Sequence, residues 1–238
     1  AELAKLTALS VDEVKEDVKE LEEQELLAVF EMRKDTYVWH MDSIREAQQT
    51  LVRALEDYEK KYPYRYGMKK AEIQTMYFQK IKPNVFDRIV EFFVERGCIR
   101  RAEEFLCTPE FEVKKDGTYQ KVAENFLNVF EKAGYDFVRY SEIDLKGVSR
   151  DMADDILNIL LTEGKVVRVT EEMYTLAEYM EQAKEKIKAH LADDPLITIA
   201  QVRDMFGTSR KSAKPILEYM DALKITKKMG AESERVAY

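Results

Sequence analysis

The sequence predicts a mostly helical chain of four short repeats, each a helix, a short helix, a third helix and a β-hairpin. Three observations carry this reading. Four amphipathic stretches close alike, on a polar turn, then a short β-branched or Leu-rich run, then charge. They read Leu21-Glu-Glu-Gln-Glu-Leu-Leu, Val94-Glu-Arg-Gly-Cys-Ile-Arg, Leu161-Thr-Glu-Gly-Lys-Val-Val and Met220-Asp-Ala-Leu-Lys-Ile-Thr. Glycine and proline are sparse, 8 and 5 in 238 residues, which favours helices with short connections. The turns, aligned at Gln24, Gly97, Gly164 and Leu223, are 73, 67 and 59 residues apart. Such unequal spacing fits divergent domains in series better than an exact solenoid.

The first repeat (1–42) opens on its short helix, 3–9, so its leading helix is missing and a longer parent chain is expected. The second (43–115) has helical patterns over 43–58, 69–78 and 83–96 and a hairpin around 99–111. The third (116–176) follows with helices over 119–133, 141–146 and 149–163 and a hairpin over 166–175. In the fourth (177–238) an amphipathic helix over 177–191 stops before Asp193-Asp-Pro195. Thr198 can cap the next helix, whose buried side is Ile199, Val202, Met205 and Phe206, and Gly207 ends it. Thr208 or Ser209 then caps a helix that buries Ile216, Leu217, Met220 and Leu223. Pro215 removes one hydrogen bond there and is expected to kink it. Residues 224–238, with Gly230 at the middle, read as a hairpin. Helix, turn, helix and β-hairpin together define the winged-helix variant of the helix-turn-helix, and four tandem winged-helix domains are the expected architecture.

Composition narrows the function. No apolar run is long enough for a membrane span, and no leader resembles a signal peptide. Cys98 and Cys107 are expected as reduced core or strand thiols. A net charge of −8 argues against coating nucleic acid along the whole chain. Residues 198–238 are different: eight Lys/Arg face five acids, leaving +3 there and −11 elsewhere. A basic end on an acidic body marks a localised site.

The third helix of such a module presents its first turns to a ligand. The first start, Ser10-Val-Asp-Glu-Val-Lys-Glu-Asp, is acidic; the second, Lys82-Pro-Asn-Val-Phe-Asp-Arg-Ile, is nearly neutral. The third, Val148-Ser-Arg-Asp-Met-Ala-Asp-Asp, is acidic again. Acids at a helix start are ordinary stabilisation by the macrodipole. Only the fourth, Thr208-Ser-Arg-Lys-Ser-Ala-Lys-Pro, sets Arg210, Lys211 and Lys214 beside free amides with no acid among them. The wing adds Lys224, Lys227, Lys228 and Arg235, and the preceding helix adds Arg203. The bland alternative is a solvated charged face.

Other motifs yield little chemistry. Tyr58, Tyr62, Tyr64, Tyr66, Tyr77 and Phe78 are read as packing between modules rather than a base-stacking platform, and Trp39 as core. No Gly-x-x-x-x-Gly-Lys loop occurs, and His40 and His190 lie far apart with no ligand spacing. Paired acids such as Asp154 and Asp155 are ordinary on acidic helices. The chain reads as non-catalytic, with no cofactor and no metal.

At Phe206-Gly-Thr-Ser-Arg-Lys, followed by Leu217-Glu-Tyr-Met-Asp and the Lys227-Lys228 pair, the sequence resembles a known family. It is similar to the C-terminal extension of bacterial selenocysteine-specific elongation factors (SelB), cytoplasmic proteins of translation. The resemblance implies four winged-helix domains behind a GTPase body, the last binding the selenocysteine insertion (SECIS) hairpin in messenger RNA. The upstream GTPase domains and the ribosome are then the other expected partners. It also implies that Ser209, Arg210 and Lys211 meet the hairpin backbone near its loop. Arg203, Lys214, Lys227, Lys228 and Arg235 join this set from charge and position. Two rivals stay open: a DNA-binding regulator, which would need a symmetric partner to read a palindrome, and a protein–protein scaffold.

Overall fold

The structure, a computed structural model describing residues 2–32, 35–102, 104–229 and 234–238, divides between Val113 and Lys114 into two units. It is mostly helical, with small antiparallel sheets. The first unit runs α1 (Glu2–Thr7), α2 (Val11–Glu23), β1 (Leu27–Glu31), β2 (Thr36–His40) and α3 (Met41–Lys61). It continues with β3 (Met68–Lys69), α4 (Lys70–Tyr77), α5 (Pro83–Glu95), β4 (Arg100–Ala102) and β5 (Phe105–Cys107). Ser10 starts α2 with a capping box: its hydroxyl accepts from the Glu13 amide at 3.2 Å, and the Glu13 carboxylate accepts from the Ser10 amide at 2.8 Å. Strands β1 and β2 pair as a hairpin, while β3, β5 and β4 form a three-stranded sheet.

One apolar core serves this unit. Phe30 of the hairpin packs with Ile44, Leu51, Leu55, Phe86, Ile89, Phe93 and Leu106, and the Phe30 ring meets Phe92 edge-on at 5.6 Å. Trp39 lies half-buried against the same core, and Tyr64 and Phe78 are buried. Gly67 sits at φ +139° with its α-carbon against β5, where an added Cβ would fall 2.3 Å from the Leu106 carbonyl oxygen. Backbone cannot step aside as a flexible side chain does. Gly67→Ala should therefore destabilise this unit by about 2 kcal/mol or more, read as a lower urea midpoint with unchanged m-value.

The second unit contains α6 (Gly117–Ala133), β6 (Val138–Arg139), a 3-10 turn (Tyr140–Glu142), α7 (Arg150–Thr162), β7 (Val166–Arg168) and β8 (Met173–Leu176). Then come α8 (Ala177–Asp193), α9 (Ile199–Phe206), α10 (Arg210–Ala222), β9 (Thr226–Lys228) and β10 (Arg235–Ala237). Strands β6, β8 and β7 form one sheet, β9 and β10 another, and β10 also bridges back to Ile197. Phe137 and Met173 pack into the same core as Met180, Ile187, Val202, Ile216, Leu217 and Met220, so the two halves of this unit share apolar surface. α10 runs unbroken through Pro215, whose ring is buried.

The four helix ends singled out in the sequence share one cap. Amides of Leu26, Cys98, Lys165 and Ile225 donate to carbonyls of Leu21, Phe93, Leu160 and Met220, all at 2.9–3.0 Å. The left-handed residue of each cap is Glu25, Gly97, Gly164 or Lys224. The alignment at Gln24 and Leu223 is thus one residue early, because Glu25 and Lys224 take a conformation normally left to glycine.

Two other expectations change. The helix expected over 141–146 shrinks to the 3-10 turn, since Asp144 accepts from the Lys146 amide at 2.9 Å and offers the backbone a competing turn. Strands β3 and β6, two residues each, were too short to show alternation in the sequence. Gly230, the expected hairpin midpoint, lies outside the described residues. Cys98 and Cys107 are free thiols, half-buried and buried. No helix among the described residues is long and apolar enough to cross a membrane.

Candidate nucleic-acid interface

The start of α10 and the adjoining hairpin carry the basic residues picked out by charge. Thr198 and Gln201 close a capping box on α9, and Gly207, left-handed at φ +58°, turns the chain into α10. Arg210 and Lys211 then occupy the first turn of α10 as exposed side chains, and no acid shares that turn. Their neighbour Ser212 is buried, as are Ala213, Ile216 and Leu217, so helical periodicity sends the cations outward. Lys227 and Lys228, on β9, are exposed as well. Among the described residues these four cations make no ion pair.

Three other residues of the expected set are already engaged. Arg203, exposed on α9, pairs with Asp204 at 2.7 Å, and Lys214 pairs with Glu218 one turn on at 3.4 Å. Surface pairs of this kind are weak and exchange readily for a phosphate. Arg235, expected on the exposed wing, is instead buried. The residue is only 4% exposed; its Nε donates to Asp221 Oδ2 at 3.1 Å, while Asp221 Oδ1 accepts from the Thr226 hydroxyl at 2.5 Å. Arg235 thus fastens the hairpin to the end of α10. Counting charge cannot tell which way a strand residue points.

Ser209 is the N-cap of α10 by position, yet its side chain makes no capping bond. The cap comes from Asp136, in the turn after α6. Asp136 Oδ1 accepts from the Ser209 amide at 3.1 Å and from the Thr208 hydroxyl at 2.6 Å, with the Tyr135 carbonyl 2.9 Å from the same hydroxyl. The amide expected to greet a phosphate therefore already holds a carboxylate. Sequence reasoning missed Asp136 because it lies 72 residues from Thr208 and has no local signature.

The Thr208 hydroxyl, then the Ser209 amide, hold the Asp136 carboxyl below its ordinary pKa. A depressed native pKa adds stability that is complete above the unfolded-chain value and disappears as pH falls through the native one. Acid titration of thermal stability should show a smaller loss below about pH 4 for Asp136→Asn than for the parent. Equal losses would mean that these hydrogen bonds do not favour the ionised form.

The three other helix starts are different surfaces. α2 and α7 carry acids in their first turns, Asp12 with Glu13 and Asp151. α5 begins on Pro83, and its Asp87 pairs with Lys70 at 2.5 Å. His40 caps α3 through Nδ1, and His190 lies against the Leu196 carbonyl; no group of three metal-ligating side chains occurs among the described residues.

Comparison with known proteins gives these helices a family. Residues 52–106 and 189–232 each match a family described as "Elongation factor SelB, winged helix". The chain is 23% identical over 177 residues to a selenocysteine-specific elongation factor of Desulfomicrobium baculatum, covering 74% of this chain and 28% of that protein. It is 20% identical over 205 residues to the same-named protein of Haemophilus influenzae, covering 84% and 32%. It therefore spans about a third or less of these relatives. A crystal structure of bacterial selenocysteine-specific elongation factor EF-Sec matches with TM-score 0.51 at 17% identity, over 88% of this chain and 32% of that one, and supports the fold alone. Two segments of this chain thus match winged-helix domains of the SelB elongation factors, and over most of its length the chain is similar to that family.

Proposed function

We propose that the chain is the messenger-reading arm of a selenocysteine-specific elongation factor, with four winged-helix modules at 1–42, 43–115, 116–176 and 177–238. The last grips an RNA hairpin of the selenocysteine-insertion class. Arg210 and Lys211 on the α10 start, with Lys227 and Lys228 on the wing, hold its backbone; Ser209 lies beside them, and Arg203 and Lys214 flank the grip. The observation that carries this is the exposed cationic first turn of α10, against acids at the starts of α2 and α7. An A-form stem hides its base edges in a deep, narrow major groove, so a protein reads a hairpin through phosphates, shape and splayed loop bases. A cationic helix start with a basic wing suits that task.

The arm is non-catalytic in this reading. A GTPase body elsewhere in the parent protein, the ribosome as partner and a cytoplasmic site follow from the family role. The test is fluorescence anisotropy of the whole chain with a labelled bacterial selenocysteine-insertion hairpin, a shuffled hairpin and duplex DNA, across a salt series. Preference for the insertion hairpin, weakening steeply with salt, is the expected result. Preference for duplex would favour a DNA-binding regulator, and no binding to any probe a protein–protein scaffold.

A further inference from the structure

The start of α10 does not stand by itself. The turn after α6 grips residues 206–209 from outside the proposed RNA-binding module. The Tyr135 ring lies 4.5 Å from Phe206 and 5.3 Å from Tyr179, and Asp136 takes the Thr208 hydroxyl and the Ser209 amide. The turn is itself held, because the Gly134 carbonyl accepts from the buried Thr175 hydroxyl at 3.3 Å and the Tyr179 hydroxyl donates to the Glu131 carbonyl at 3.3 Å. Two neighbouring residues of one repeat, Tyr135 and Asp136, thus fix the segment that leads into the exposed Arg210 and Lys211.

We propose that Asp136 is a positioning residue for RNA recognition: it aims the cationic first turn of α10, so that reading the hairpin needs the third repeat as well as the fourth. This rests on the RNA-binding reading above. Capping requires an acceptor oxygen at this position, not necessarily a charge. The carboxylate is also an anion beside a site for phosphates, where charge alone works against binding. The two effects have opposite signs, and substitution separates them.

Asp136→Ala removes both acceptor and charge, whereas Asp136→Asn keeps an acceptor and removes only the charge. Both variants, with Lys211→Ala and Phe126→Leu, are made in the whole chain and titrated with the labelled selenocysteine-insertion hairpin at several salt concentrations. If Asp136 aims the helix, Asp136→Ala should bind about 5- to 10-fold more weakly, with a shallower slope of log affinity on log salt. Asp136→Asn should bind as well as the parent or better. Phe126→Leu thins the packing of the third repeat away from this turn; it should lower the melting temperature yet keep affinity, which separates aiming from general loosening. Asp136→Ala binding as tightly as Asp136→Asn would overturn the proposal. Loss of affinity in Lys211→Ala alone would then leave the RNA-binding reading standing, whereas no RNA binding by the parent chain would remove that reading itself.

Discussion

Arg235→Ala should destabilise the second unit by about 3 kcal/mol, because it strands a carboxylate that the fold has partly taken out of water. Asp221 loses its guanidinium partner and keeps only the Thr226 hydroxyl. The value sits at the low end for a broken buried pair, since the Asp221 side chain keeps 25% of its surface in solvent. Chemical unfolding of the whole chain, followed by a probe in the second unit, gives the measurement. RNA affinity should fall only as far as the hairpin loses its shape, and at temperatures where the fold persists it should recover. Full stability with weakened RNA binding would return Arg235 to the contact set.

Arg210→Ala should act the other way, costing about 1–3 kcal/mol of hairpin binding and almost nothing in stability. Its guanidinium can fork onto a phosphate or a base edge, whereas Lys211 and Lys227 act as point charges. Lys211→Ala and Lys227→Ala should therefore lose less and weaken all hairpins alike. Each phosphate contact removed should flatten the slope of log affinity on log salt by roughly 0.7 to 0.9. Salt titrations of the three variants beside thermal melts give both readouts. Normal binding by Arg210→Ala, or a loss explained by unfolding, would move the site away from α10.

Helix positions were legible wherever apolar periodicity ran for several turns. α5, α7, α8 and α10 lie within a few residues of the sequence reading, and the caps at Thr198 and Gly207 were visible as residue types. Two-residue strands such as β3 and β6 have no periodicity to read; only tertiary packing makes them. The candidate site divides the same way. Exposure of Arg210 and Lys211 follows from helical spacing against Ile216 and Leu217, information local to the chain. The inward turn of Arg235 depends on Asp221, and the cap on α10 depends on a turn from the preceding repeat. Neither is encoded near the residue it governs, so a count of positive charges ranks buried and exposed cations equally.

The backbone bridge between Arg235 and Ile197, with each amide donating to the other's carbonyl at 2.9 Å, makes the wing a strut rather than a flap. At Arg235 it is fastened to the end of α10 by the side chain and to the segment between α8 and α9 by the backbone. A pull on Lys227 or Lys228 loads β9, passes through its ladder to β10, and reaches the end of α10 and the α8–α9 segment together. A load on the exposed face of β9 would therefore reach the body of the unit with little lost to bending of the wing.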